Sequence, residues 1–314
     1  MKRLNCEITI GDNVIDFVTE VSIDSSWKEF TDKCTITLPK RITKNGQDVF
    51  VGNESLFKYG DKVTVKLGYY PNLETRFQGY IHRVRIDSPV VIECHDEFFK
   101  LKQNTLTKSY SKINLEDLLE EITGDVQFDS VSAELGEFRI SNATPAQIIE
   151  ELKKTYLLDA FIKDNKLRVG RQYLTELGTN HEITKEVNII DDNLDYQKEE
   201  NVRIRIKAVS MLPDNTKIEE EVGDTTGETR TAFFYNLNRE ELKASAEREL
   251  PKFRYSGFRG SFVTFGEPFV QHGDTIKFSS LKFPEYKGNY FVDRVVTNFG
   301  QQGFRQEIEL GRKA

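Results

Sequence analysis

Apolar and polar positions alternate with a period of two through both ends of the chain and take helical spacing in the middle. Leu4, Cys6, Ile8 and Ile10 alternate with polar neighbours, and Gly11-Asp12-Asn13 supplies turn chemistry before Val14 and Ile15, so a hairpin is predicted. After Trp27, Cys34, Ile36 and Leu38 share one face and Thr35 and Thr37 the other, and Pro39 stops the run. This reads as a half-buried strand. From Arg41 to Phe57 the pattern fades among polar residues with Gly46, Gly52 and Asn53, which reads as a long loop. Val63, Val65 and Leu67 then face inward and Lys62, Thr64 and Lys66 outward, followed by strands over 77–86 and 90–94 around the turn Asp87-Ser88-Pro89. About six strands precede residue 100, the rhythm of an antiparallel sandwich or barrel, so residues 1–104 read as one β-domain.

Residues 105–175 differ. Asn114 is placed to cap a helix whose Leu115, Leu118, Leu119 and Ile122 form one buried face, with Gly124 as its stop. A second helix has Thr144 at its cap, Pro145 at its first position and Ile148, Ile149 and Leu152 as its stripe. Asp164-Asn165 then joins two short strands, completing a small α/β module. Alternation resumes in 176–314, where Val202, Ile204, Ile206 and Ala208 alternate with Arg203, Arg205 and Lys207. Beyond Pro213-Asp214-Asn215, Lys217 to Val222 reads as an antiparallel partner. Asn238 starts a helix at about 239–250, with Leu242, Ala246 and Leu250 on one side and Pro251 after it, and the chain closes on a strand from Phe304 to Leu310.

Two stretches share a layout. Residues 60–84 read GDKVTVKLGYYPNLETRFQGYIHRV and residues 273–295 read GDTIKFSSLKFPEYKGNYFVDRV. Each opens on Gly-Asp, enters an alternating strand, crosses an aromatic, Pro-containing loop and ends in Arg-Val. A structural repeat is expected, with Gly60, Asp61, Arg83 and Val84 matching Gly273, Asp274, Arg294 and Val295. The aromatic loops, with Tyr69 and Tyr70 in one and Phe283 and Tyr286 in the other, occupy matching places. Core packing explains most of these rings, and a protein interface would use the remainder.

The 314 residues imply two or three domains, and 38% hydrophobic with 30% charged residues is a globular composition. No apolar run approaches a membrane span, and MKRLNCEITI lacks the core of a signal peptide, so synthesis in a cytoplasm is expected. Cys6, Cys34 and Cys94 lie within strand patterns and read as buried free thiols. A net charge of −7 disfavours gripping nucleic acid. His82, His95, His181 and His272 form no metal-binding spacing. In Cys94-His95-Asp96-Glu97 a strand would send Cys94 and Asp96 away from His95. No nucleophile elbow, Walker loop or dinucleotide fingerprint is present, so no catalytic, cofactor or metal residue is assigned. The acidic runs Glu120-Glu121, Asp191-Asp192 and Glu219-Glu220-Glu221 read as solvated faces, and Arg203, Arg205 and Lys207 as the wet side of a strand.

Several phrases carry a family likeness: WKEFTDKCTITLPK (27–40), FKYGDKVTVKLGYY (57–70), FQGYIHRV with IECHDEFFKLKQNT (77–105), ATPAQIIEELKKTY (143–156), and GSFVTFGEPFVQHGDTIKF with YFVDRVVTNFGQQGFRQEIELGRK (260–313). In order, and across nearly the whole chain, they resemble baseplate or tail hub proteins of contractile phages. These are the late control D and T4 hub-like proteins, related to the N-terminal part of type VI secretion spike proteins. The resemblance implies a mainly β (α+β) protein with two related tail-tube-like antiparallel β-barrels, at 1–104 and 176–314, and the α/β module between them. It further implies a non-enzymatic homotrimer forming a pseudo-sixfold ring that joins the tail tube protein to a spike protein, with a tape-measure protein as a further partner. Such a hub would be made in the bacterial cytoplasm and assembled into a phage tail or injection particle. With no spike domain before Ala314, a separate chain would supply the spike. The alternatives are a tail-associated cell-wall hydrolase using the plentiful carboxylates and a carbohydrate-binding β-module using the aromatic loops.

Overall fold

The computed structural model describes residues 3–44, 47–50, 56–86, 88–156, 158–170, 178–212, 214 and 216–314, with only the backbone over 42–50. Gly46, Gly52, Asn53, Asp87, Pro213, Asn215 and the expected boundary at 175/176 lie outside the described residues. The chain is mainly β. Its largest element is a 13-stranded sheet, whose strands are β1 (Leu4–Ile10), β2 (Asn13–Ile15), β3 (Glu20–Ser26), β4 (Lys33–Leu38), β5 (Lys62–Tyr69), β6 (Glu74–Arg85), β7 (Val90–His95), β8 (Asn180–Thr184), β9 (Ile189–Gln197), β10 (Gly257–Phe265), β11 (Thr275–Ser279), β12 (Gly288–Gly300) and β13 (Gly303–Lys313).

The strand order is β9-β10-β13-β12-β3-β4-β7-β6-β5-β1-β2, with β11 on the N-terminal part of β12 and β8 parallel to β11. It contains one sequence of neighbours twice. β3-β4-β7-β6-β5 and β9-β10-β13-β12-β11 are both antiparallel throughout, and β12 joins the halves by pairing with β3. The described path is open at both ends, and no closed barrel is present among the described residues.

Alternation places one face of each half in a core. Ile8, Ile36, Val63, Val65 and Ile92 fill the first, to which Phe299 and Phe304 of the β12–β13 hairpin also belong. Phe262, Ile276, Phe278, Val292, Val295 and Ile308 fill another. The middle of the chain has its own core under helices α1 (Leu115–Thr123) and α2 (Pro145–Tyr156). Asn114 caps α1 by accepting from Asp117 N, and Gly124 ends it at φ 62°. Between β9 and β10 the chain inserts a three-stranded sheet covered by α3 (Arg239–Phe253), whose Leu242 and Ala246 are fully buried.

Three local expectations need correction. The supposed long loop after Arg41 contains the hairpin Arg41–Lys44/Gln47–Phe50, whose short strands carry too few apolar residues to show a period. Pro251 lies inside the last turn of α3 rather than after it, because Leu250 and Phe253 pack on the core below and hold that turn. Among the described residues, nine strands rather than about six precede residue 100. Among those missed is β3, with only Val21 and Ile23 as apolar residues, although it forms the seam between the halves.

Candidate assembly interface

The two Gly-Asp turns make the same hydrogen bonds. Gly60 N donates to Ile81 O and Ile81 N to Asp61 O, each at 2.9 Å. Gly273 N donates to Val292 O at 2.8 Å and Val292 N to Asp274 O at 2.9 Å. Asp61 N reaches Lys58 O, whose own N–H returns to Asp61 Oδ2; Asp274 N reaches Gln271 O, whose N–H returns to Asp274 Oδ2. Both glycines sit at positive φ, +83° and +79°, which is what lets the chain reverse there. Each following strand pair shifts register at the same place, between Ile81 and Arg83 and between Val292 and Arg294, after which Arg83 faces Glu93 and Arg294 faces Glu309.

Their surroundings differ. Asp61 is half-buried, and among the described residues its carboxylate accepts only from Lys58 N. Asp274 is buried and also accepts from Thr179 N and Lys163 Nζ at 3.0 Å, with His181 Nε2 at 2.9 Å. Burial works against its ionisation, but the His181 hydrogen bond and the Lys163 charge outweigh it and hold the carboxyl below its ordinary value. Lys163 comes from the middle of the chain and also donates to His272 O, so one buried cation ties that module to the second half.

Next to this lies an acid pair that the sequence does not announce, with Asp96 buried and Asp32 half-buried. Asp32 accepts from Ser25 Oγ and Ser26 N, and its own N–H donates to Asp96 Oδ2. Burial pushes Asp32 up to about 7, and burial with the Asp32 charge raises Asp96 well above its ordinary value. His272 Nε2 is 3.7 Å from Asp32 Oδ2 and 3.1 Å from Ile162 O; burial and the Lys163 charge push it down to about 4. These groups line a cleft of about 340 Å³ with Arg76 and Gln78. Among the described residues, no three His, Cys, Asp or Glu side chains gather as a metal site. His95 stacks on His82 at 4.1 Å, and Asp96 caps the turn at Phe98 instead of joining it.

The aromatic loops leave one ring of each pair exposed. Tyr69 tilts against Phe304 and Tyr286 stacks on Tyr196, whereas Tyr70 (67% exposed) and Phe283 (49%) face outward. Tyr69, Phe265 and Phe304 line a cleft of about 630 Å³ with Arg305. The seam itself pairs Ser26 with Arg294 through to Glu20 with Gly300. Arg294 grips Asp24 through both guanidinium arms, Nε to Oδ1 at 2.7 Å and NH2 to Oδ2 at 2.6 Å, which raises its pKa. Trp27 Nε1 donates to Asp293 Oδ1, and Lys28 bridges Asp293 and Glu309.

This doubled sheet matches known structures along its full length. A tail protein from Neisseria meningitidis aligns with a TM-score of 0.66 at 13% identity, covering 99% of this chain and 97% of that one. The 43 kDa tail protein of prophage MuSo2 from Shewanella oneidensis aligns at 0.63 and 13% identity, covering 98% of each. The fold is that of these phage tail proteins. A component of the E. coli type VI secretion system, itself described as similar to T4 bacteriophage tail proteins, shares this tail-protein fold. It aligns at 0.58 and 8% identity, over 99% of this chain and 77% of that one. No family model matches the chain, and a search of curated proteins finds no match.

Proposed function

We propose that this chain is the structural hub of a contractile phage tail or a related injection device. In this reading three copies form a pseudo-sixfold ring between the tail tube and the central spike. The observation that carries it is the doubled strand order joined at the β12–β3 seam: a chain holding two like units converts threefold into near-sixfold order, which suits a sixfold tube on one face and a threefold spike on the other. The turns Gly60-Asp61 and Gly273-Asp274 and the ends Arg83-Val84 and Arg294-Val295 are the equivalent points of the two units. The units at 1–104 and 176–314 are the tube-like parts, which complete barrels on assembly, and the α/β module of 105–175 lies outside the ring. The exposed Tyr70 and Phe283, with Tyr69 and Tyr286 behind them, form contacts to the tube, the spike or a tape-measure protein. The role is mechanical, in the assembled particle, with no catalysis of its own.

The test is co-expression with tail tube and spike proteins, followed by electron microscopy of the particles. A ring of three copies between tube and spike is expected. Particles that assemble fully without this chain, or clearing of peptidoglycan by the purified protein, would overturn the reading.

A further inference from the structure

The halves are joined by an edge pairing that each half also leaves open elsewhere. Strand registers fix the correspondence: Glu93 and Glu309 face Arg83 and Arg294, Thr35 and Ser261 face those glutamates on the other side, and Ser22 and Asn193 face Thr35 and Ser261. Carried two residues along β3 and β9, this alignment sets Asp24 of the seam against Asp195. Arg294, which grips Asp24, has Arg83 as its counterpart.

Neither counterpart has a cationic or anionic partner within the chain, among the described residues. Arg83 is exposed and no ion pair engages it. Asp195 is exposed and accepts only from Gln197. The backbone around them is open too. β9 pairs with β10 on one side and with no described strand on the other, and beyond the Gly60–Ile81 bonds β6 has no partner on its β5 side. Ile86, 44% exposed, follows on that edge at the place where buried Thr297 lies opposite Ile23 in the seam. Unpaired edges with matching polar groups recruit another strand unless something covers them.

Resting on the hub reading, we propose that β9 of one copy pairs antiparallel with the end of β6 of a second copy, repeating between chains the β3–β12 seam within the chain. The register sets Arg83 opposite Gln197, Val84 opposite Tyr196, Arg85 opposite Asp195 and Ile86 opposite Leu194 of the neighbour, and Arg83 takes the neighbour's Asp195 as Arg294 takes Asp24. The contact is head to tail: each copy offers a different edge at each end, so it propagates around a ring instead of stopping at a dimer.

Two measurements on the full chain test this. In sedimentation, Arg83→Asp and Asp195→Arg each raise the self-association constant for dissociation at least tenfold, and the double variant returns it to within about threefold of the parent. For register, an Arg85→Cys chain is mixed with an Asp195→Cys chain and oxidised; the native cysteines are buried and do not compete. A disulfide between the two variants, with neither linking to itself, is the expected result. Absence of that mixed cross-link, or charge reversals that leave association unchanged, overturns the edge pairing, and so does a wild-type chain that stays monomeric at millimolar concentration. A ring seen in particles without the cross-link removes this interface and leaves the hub reading standing, whereas particles lacking the chain remove the hub reading itself.

Discussion

The turns at Gly60-Asp61 and Gly273-Asp274 share their backbone bonds and differ in what surrounds the carboxylate. Asp61 serves its own turn. Asp274 is the meeting point of three segments, holding Lys163 from the middle module, His181 at the start of β8 and Thr179 before it. The same local geometry is therefore a surface turn in one half and a buried polar anchor in the other. The difference teaches that the Gly-Asp pair specifies the turn, and its neighbours decide whether it also bears the tertiary structure.

The largest separation of the two comes from Asp274→Ala against Asp61→Ala. Removing Asp274 leaves Lys163 buried with an uncompensated charge, and breaking such a pair costs about 3–5 kcal/mol. Removing Asp61 deletes a partly exposed bond to Lys58 N, worth about 0.5–1.5 kcal/mol. Urea midpoints of the two variants measure the gap, and equal losses would show that the Asp274 cluster anchors nothing.

The acid and base groups beside Asp274 come next, in the pH dependence of stability. Asp32 has its folded pKa raised to about 7, so its contribution is full below the unfolded carboxylate value and is lost as pH rises through 7. His272 is lowered to about 4, so its contribution is present above the unfolded histidine value and is lost as pH falls toward 4. The two slopes oppose each other between about pH 4 and 7. Asp32→Asn should therefore steepen the gain in thermal stability as pH rises from 4 to 6.5, and His272→Gln should favour the acid side; parallel melting curves for both variants and the parent would refute the opposition. Among the described residues, the Asp61 carboxylate has no such acid and base groups hydrogen-bonded to it, only Lys58 N.

How much of this was legible follows from how local each feature is. The caps at Asn114 and Asn238, the Asp164-Asn165 turn with both residues at positive φ, and the Gly60-Asp61 and Gly273-Asp274 turns are written within a few consecutive residues and could be read directly. The seam could not. β3 shows only Val21 and Ile23 as apolar signal, and its partner β12 lies at the other end of the chain. The Asp274 cluster was equally silent, because Lys163, His181 and His272 look like scattered polar residues until the middle module is folded against β11. His95-Asp96 drew attention in sequence, while Asp32, the partner that matters to Asp96, stands 64 residues away.

A smaller effect bears on the turns' shared part. Gly60→Ala and Gly273→Ala both force a Cβ onto a positive-φ residue, costing about 1–2 kcal/mol each. A Cβ at Gly60 meets nothing within 4 Å, whereas one at Gly273 comes within 3.3 Å of Lys163 Nζ, so Gly273→Ala should be the more damaging. A difference in the opposite direction would mean that the crowding around Asp274 relaxes freely.

The smallest expected effect lies where the halves are most alike in sequence, at Arg294 and Arg83. Arg294 holds Asp24 with two hydrogen bonds, but both side chains are partly exposed, and ion pairs of this kind contribute about 0.2–1 kcal/mol. Arg294→Ala should therefore lower the urea midpoint slightly, and the loss should shrink in high salt. Arg83→Ala should leave the monomer's midpoint unchanged at any salt, since no partner within the described chain loses anything. If Arg83→Ala destabilised the isolated chain as much as Arg294→Ala, Arg83 would be engaged within its own subunit, and the contrast between a filled and an open edge would be gone.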